Sequence, residues 1–207
     1  MTPPFAFAAA MLLPVLWAQT PSTAVYNIDS ERSKLEVHVF RGGLLKMMGH
    51  DHEIAAKSFS GEVRLDPINI ENSSVSLEVA SASLIVADDP DVPEKDRKQV
   101  QDTMQGADVL NSRDFPRIQF HSTRLSHLAK AGEDFTITGR LNLHGFEKEI
   151  SFPVQLHRES NLLRASGVVT LTQTDFGIKP VKAALGTVRV KDQIRVKFEF
   201  LAEKANP

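Results

Sequence analysis

The stretch Gly49-His50-Asp51-His52-Glu53 holds the residue types best suited to chemistry. In an extended segment His50 and His52 point the same way, because successive side chains alternate between two faces. Two imidazoles on one face bind zinc or another divalent ion if a third ligand reaches them, and His121 and His144 are the candidates for that role. A closed zinc site normally takes four protein ligands, and the chain has no cysteine to supply one. The competing use is a polar rim, in which imidazoles donate to a ligand's head group and gain charge below a pKa of about 6.5. Arg41 and Lys46 add cations able to meet a phosphate or a quinone oxygen. Around Lys46, between Arg41 and the histidines, lies the apolar cluster Leu44, Leu45, Met47 and Met48. Methionine adapts its shape to what it touches, so this cluster suits either the mouth of a site for a greasy ligand or a plug at one end of a barrel.

Other chemistries find little footing. A G-x-S-x-G nucleophile elbow, a phosphate-cradling glycine loop and a dinucleotide fingerprint are all absent from the sequence. The carboxylate pairs Asp88-Asp89 and Glu147/Glu149 fall in turns or on polar strand faces and read as solvated surface. With 24 Lys plus Arg against 26 Asp plus Glu, the net charge of -2 gives no electrostatic argument for nucleic acid. No cofactor is called for.

The elements that must position these residues repeat with a period of two. Apolar and polar residues alternate around Leu35–Val39, Phe59–Leu65, Val75–Val79, Ile118–Phe120, Phe135–Leu143, Ile150–Leu156, Leu163–Leu171 and Ile194–Phe200. Each run offers one apolar face, as an antiparallel, half-buried sheet requires. About eight such runs predict a barrel or a sandwich. The inward face carries Val37, Val39, Phe59, Val63, Leu77, Phe120, Ile137, Leu141, Phe152, Val169, Val196 and Phe198. Gly61, Gly139 and Gly167 interrupt that face, where a missing side chain lets a sheet bend or a ligand approach the backbone. The lumen set therefore includes Gly139 and Gly167, and the mouth set comprises Arg41, Leu45, Met47, Met48, His50 and His52. Pro153 inside a strand pattern points to an edge, a bulge or a barrel mouth. One helix is predicted, over Asp91–Val109, with a narrow stripe of Val100, Met104 and Ala107. The 207 residues, 42% of them hydrophobic, read as one domain over 25–204.

The N-terminus reads differently. Phe5 to Ala18 is an uncharged run of 14 residues, broken by Pro14 and too short for a membrane span of about 20. It fits a secretory signal peptide over 1–18, with cleavage after Ala18 or as late as Ala24, and a periplasmic or secreted product without a membrane span.

Several segments carry a family resemblance. They are Tyr26-Asn27-Ile28-Asp29, Phe59-Ser60-Gly61-Glu62-Val63, Asp114-Phe115-Pro116-Arg117-Ile118-Gln119-Phe120, Gly139-Arg140-Leu141-Asn142-Leu143-His144-Gly145 and Thr174-Asp175-Phe176-Gly177-Ile178. In this order, over nearly the whole chain after the leader, they resemble the YceI-like family of exported bacterial lipid-binding proteins. The resemblance implies a lipocalin-like, up-and-down antiparallel β-barrel. It also implies an elongated apolar lumen for a polyisoprenoid or similar long-chain amphiphile, and no catalytic residues. The chain departs from the common pattern at Asp88–Leu110 and at the Gly-His-Asp-His run. The competing expectation is a metal-binding protein, or a metal-assisted enzyme, using His50 and His52.

Overall fold

Why the alternating runs close into a barrel is visible in the pairing of the first and last strands. A computed structural model describes residues 23–42, 51–127, 134–183 and 188–205. The strands are β1 (Ala24–Ile28), β2 (Lys34–Gly42), β3 (His52–Ala56), β4 (Phe59–Leu65), β5 (Ser74–Ala80), β6 (Leu84–Val86), β7 (Arg117–His127), β8 (Asp134–Leu143), β9 (Phe146–Glu159), β10 (Leu162–Thr172), β11 (Lys182–Ala183) and β12 (Val188–Lys204). One helix, α1 (Glu94–Gln105), lies between β6 and β7. β1 pairs with β4 on one edge and with the end of β12 on the other, so the antiparallel order β1-β4-β5-β7-β8-β9-β10-β12 returns to its start as a ring of eight. Closure removes the free edges that an open sheet would expose.

β12 is long enough to serve two partners along one edge. Its last residues face β1, with Tyr26 opposite Lys204, while its earlier part faces β2 from Arg189↔Gly42 to Glu199↔Lys34. β2, β3 and β6 then extend the wall beyond the ring at one end of the barrel. α1 covers the remaining edge of β6. The Val86 amide donates to Gln101 Oε1 at 2.8 Å, and the amides of Gln101 and Gln105 each donate to the Leu84 carbonyl at 2.9 Å. The helix is shorter than the predicted Asp91–Val109, because residues 89–92 form a turn and Gly106 caps it. Met104 is its buried residue, in keeping with the narrow apolar stripe.

Pro153 lies in the interior of β9, opposite Thr136 of β8. The β9–β10 ladder runs from Leu162↔Glu159 and stops at Gly167↔Val154. Proline has no N–H to donate, so the pairing ends one residue short of it. Beyond that point a 3-10 turn over Gln173–Phe176 packs close to β9, with Phe176 only 1% exposed. Gly177 follows at φ 70°, a left-handed conformation that glycine adopts without strain, with the Phe146 ring where a Cβ would stand.

The opposite end is tied by Asp66, between β4 and β5. Its carboxylate accepts from the amides of Ile68 and Asn69, both at 2.9 Å, and from Asn72 Nδ2 at 3.0 Å. Bonds from Asn69, then Asn72 and Ile68, hold its pKa below the usual carboxylate range. A depressed carboxylate adds stability that is whole above its unfolded pKa and is lost as pH falls through the folded value. Asp66→Asn should therefore lower the melting temperature at neutral pH, and the gap to the parent should shrink once the pH is below the ordinary carboxylate range. A constant gap from neutral to acid pH would show that Asp66 acts through its shape alone. Melting curves across that range check it.

Candidate ligand-binding site

Inward side chains from the ring, and from β2, β3 and β6 beside it, enclose a cavity of about 510 Å³. Of the residues assigned to the lumen from sequence, Val37, Val39, Val63, Leu77, Phe120, Ile137, Leu141, Phe152, Val169, Val196 and Phe198 line it. The alternation explains why: each belongs to the apolar face of a half-buried strand, and a closed barrel turns all those faces onto one axis.

Three assigned residues do not line the cavity. Phe59 is buried behind it, its ring 5.7 Å from that of Phe200, which does reach the lumen. Gly139 and Gly167 are covered by aromatic rings. A Cβ on Gly139 would stand 2.5 Å from Phe120 Cζ and 2.5 Å from the His121 carbonyl oxygen. On Gly167 it would stand 2.6 Å from Phe198 Cζ and 2.8 Å from the Pro153 carbonyl oxygen. These glycines make room for Phe120 and Phe198 to lie flat on the sheet, and the rings, not the glycine backbone, form the wall there. Phe152 lies between them, 5.6 Å from Phe120 and 6.0 Å from Phe198, so three rings build one aromatic panel.

Of the six mouth residues, Arg41 and His52 line the cavity. Leu45, Met47, Met48 and His50 lie outside the described residues, as do Leu44 and Lys46. The alternation marks no strand between Val39 and Phe59, but His52 opens one, β3, whose residues His52 and Ile54 face the cavity. Sequence missed this strand because it is short and ends in alanine, a weak strand former. Asp51 ties the start of β3 to the end of β2: its carboxylate accepts from the Arg41 amide at 2.8 Å and lies 3.8 Å from Arg41 Nε.

The polar lining gathers at one end. Arg41, His52, Gln173 and Arg189 come from the end of β2, the start of β3, the turn after β10 and the start of β12. Asp96, Gln99 and Thr103 come from α1, beside Val100 and Met104. Helical lining and Arg189 escaped the sequence reading. Positions 96, 99, 100, 103 and 104 carry a spacing of three and four that marks one helix face, but nothing in it says which strand that face meets.

The metal expectation meets a different geometry. Among the described residues, Glu36, His38 and Glu53 bring ligand atoms within 4.8 Å of one another. They lie on the outer wall of β2 and β3, where Glu36 faces Lys197 across the β2–β12 ladder. Lys197 is held above the ordinary lysine range by Glu199 first, and then by Glu36 and Glu53. These acids thus already share a cation, away from the cavity.

Three of the family-like segments meet at the polar end. Phe115 packs edge-on to His144 at 4.9 Å, and His144 and Gly145 both take positive φ, 53° and 76°, to turn β8 into β9. His144 Nδ1 lies 3.2 Å from the Phe176 carbonyl oxygen. A model of the YceI-like domain matches residues 26–202. The chain belongs to the YceI-like family. Its curated relatives include the UPF0312 protein of Photorhabdus laumondii, 26% identical and covering 95% of each chain. Among solved structures, BcnA of Burkholderia cenocepacia matches with a TM-score of 0.67 at 21% identity, over 84% of this chain and 98% of that one. A polyisoprenoid-binding domain from Saccharophagus degradans matches with a TM-score of 0.61 at 12% identity, over 89% of this chain and all of that one. At such identities the likeness is one of fold, a YceI-like barrel.

Proposed function

We propose that this member of the YceI-like family is an exported, non-enzymatic carrier that holds a polyisoprenoid or a similar long-chain amphiphile in its barrel. The observation that carries the reading is the cavity itself: about 510 Å³, apolar along the strands, with its polar groups gathered at one end. That polarity matches a molecule with a long apolar tail and one polar head. Burial of a chain gains about 0.8 kcal/mol per CH2, so a tail of modest length is held without any directional contact. The Saccharophagus degradans domain, described as polyisoprenoid-binding, supports the same ligand class. Arg41, His52 and Arg189 are placed to meet the head group.

Export rests on the apolar leader over 1–18, with a periplasmic or secreted destination. Carriage rather than catalysis rests on the make-up of the cavity wall, which is mostly hydrocarbon and aromatic ring.

The test is organic extraction of protein purified from its own cells, followed by mass spectrometry. The expected result is a co-purifying compound with a long hydrocarbon tail, near one per chain, together with an intact mass lacking residues 1–18 or up to 24. Protein that yields no such compound and does not take up a fluorescent long-chain probe would refute the carrier reading. Full-length chain recovered from the cytosol would refute export.

A further inference from the structure

The polar end of the cavity lies beside a concentration of positive charge that the barrel does not neutralise. From 179 to 195 the chain carries Lys179, Lys182, Arg189, Lys191 and Arg195 against the single carboxylate of Asp192, in a protein whose net charge is -2. The fold brings these together instead of spreading them. Lys182 of β11 lies directly opposite Arg189 of β12, and like charges placed opposite one another weaken a ladder. Arg189 is in turn opposite Gly42, next to Arg41.

Ion pairs are common elsewhere on the surface, as in Arg32 with Asp29, Arg64 with Glu62 and Arg164 with Glu159. Among the described residues, no carboxylate comes within ion-pair distance of Lys182, Arg189, Lys191 or Arg195. Asp192 is occupied otherwise, accepting from the Thr174 amide at 2.9 Å and the Thr174 hydroxyl at 2.7 Å. Two of the cations flank an aromatic ring: Lys191 Nζ lies 5.9 Å and the Arg195 guanidinium 5.3 Å from the centre of Phe40. Phe146, 47% exposed against Gly177, adds a second accessible ring at this end.

We propose that this cationic edge docks the barrel, mouth first, on an anionic lipid bilayer. The inference rests on the reading that the cavity takes a lipid cargo, and it names the surface from which that cargo enters. Unneutralised Lys and Arg side chains are drawn to anionic head groups and release the repulsion they suffer in the free protein. Aromatic rings suit the boundary between head groups and acyl chains. Because Arg189 both lines the cavity and belongs to the edge, contact there sets the polar end of the cavity on the bilayer, so that a tail passes from one apolar phase to the other without crossing water.

The experiment is flotation of the purified protein with phosphatidylcholine vesicles, with and without phosphatidylglycerol, at low and high salt. Three variants are compared: Lys182→Glu/Arg189→Glu, Lys191→Glu/Arg195→Glu, and the control Arg158→Glu beside the β9–β10 turn at the far end. Binding should require the anionic lipid and weaken steeply with salt. Each mouth pair should weaken it by about tenfold or more, since one juxtamembrane cation contributes roughly fivefold, while the control leaves it unchanged. If one pair fails to fold, the other pair and the salt series carry the test. Equal binding to neutral vesicles, undiminished binding by a folded mouth variant, or an equal loss in the control would overturn docking. Uptake of a fluorescent long-chain probe from vesicle-free solution is measured alongside. A protein that docks but takes up no probe keeps the docking inference and loses the carrier reading, and the converse result does the opposite.

Discussion

Phe120→Asp is expected to remove most of the stability of this protein at neutral pH. Phe120 is 7% exposed, lines the cavity, faces Leu77 and Leu141 across its two ladders, and packs its ring on Phe152 and over Gly139. The substitution deletes a buried aromatic ring, a change of the kind that costs about 3–5 kcal/mol. It also puts a carboxylate where no donor waits, adding an unmet polar burial of at least about 1–3 kcal/mol. Domains of this size hold about 5–15 kcal/mol in all, so the variant should melt far below the parent or fail to fold. Burial would raise the pKa of the new carboxyl. Its folded pKa then lies above its unfolded value of about 3.9, so the ionic share of the penalty grows as pH rises above 3.9 and is absent below it. The deficit should accordingly be smaller near pH 4 than at pH 7. Phe120→Leu is the control and should lose far less. Denaturant melts at both pH values decide the matter. An unchanged midpoint in Phe120→Asp would place this side chain in water and reverse the inside and outside of β7.

The second large effect concerns binding. Ala165 lines the cavity from β10, half-buried, opposite Leu156 and Phe200. It is the smallest side chain on that strand's inward face apart from Gly167, whose place is taken by the Phe198 ring. In Ala165→Trp the new ring would grow into open lumen and not into packed neighbours, so it should fold with a melting temperature close to that of the parent. Binding of a long-chain probe should fall by more than tenfold, because about 2 kcal/mol is lost when only two or three CH2 groups are displaced from apolar surroundings. Fluorescence titration with probes of increasing chain length gives the check. The longest probes should lose most. Equal affinity for all lengths, with the fold intact, would show that the tail lies somewhere other than this cavity.

Much of the fold is legible in the sequence. The eight alternating runs all became strands, because a residue in a half-buried strand is constrained by its own neighbours at i±2, and that constraint is written locally. What escaped was short or depended on distant partners. β3 and β6 are of five and three residues, too brief to display a period. β12 begins six residues before the predicted Ile194, across a bulge between Val190 and Ile194 that breaks the alternation, and so Arg189 was missed. Gly139 and Gly167 were placed on the inward face, but which ring would cover each depends on Phe120 and Phe198 across the ladder. The family-like segments His144-Gly145 and Thr174–Ile178 look at first like site motifs. Part of what they do is structural: they supply the positive-φ turns and the buried Phe176 that hold the polar end in shape.

The sequence by itself determined that the chain is a run of amphipathic strands with one polar helix, and which side chains turn inward. Pattern and propensity are properties of neighbouring residues, so they need no third dimension. The alternation alone leaves barrel or sandwich; the family resemblance implies a barrel, and the tertiary structure bears that out through β1 pairing with both β4 and β12. The tertiary structure alone decided that the inward faces leave a cavity, since packing volume is a sum over all the strands at once. It also set the end at which Arg41, His52 and Arg189 meet. Those residues are far apart along the chain, and it is the β2–β12 and β2–β3 registers that bring them side by side.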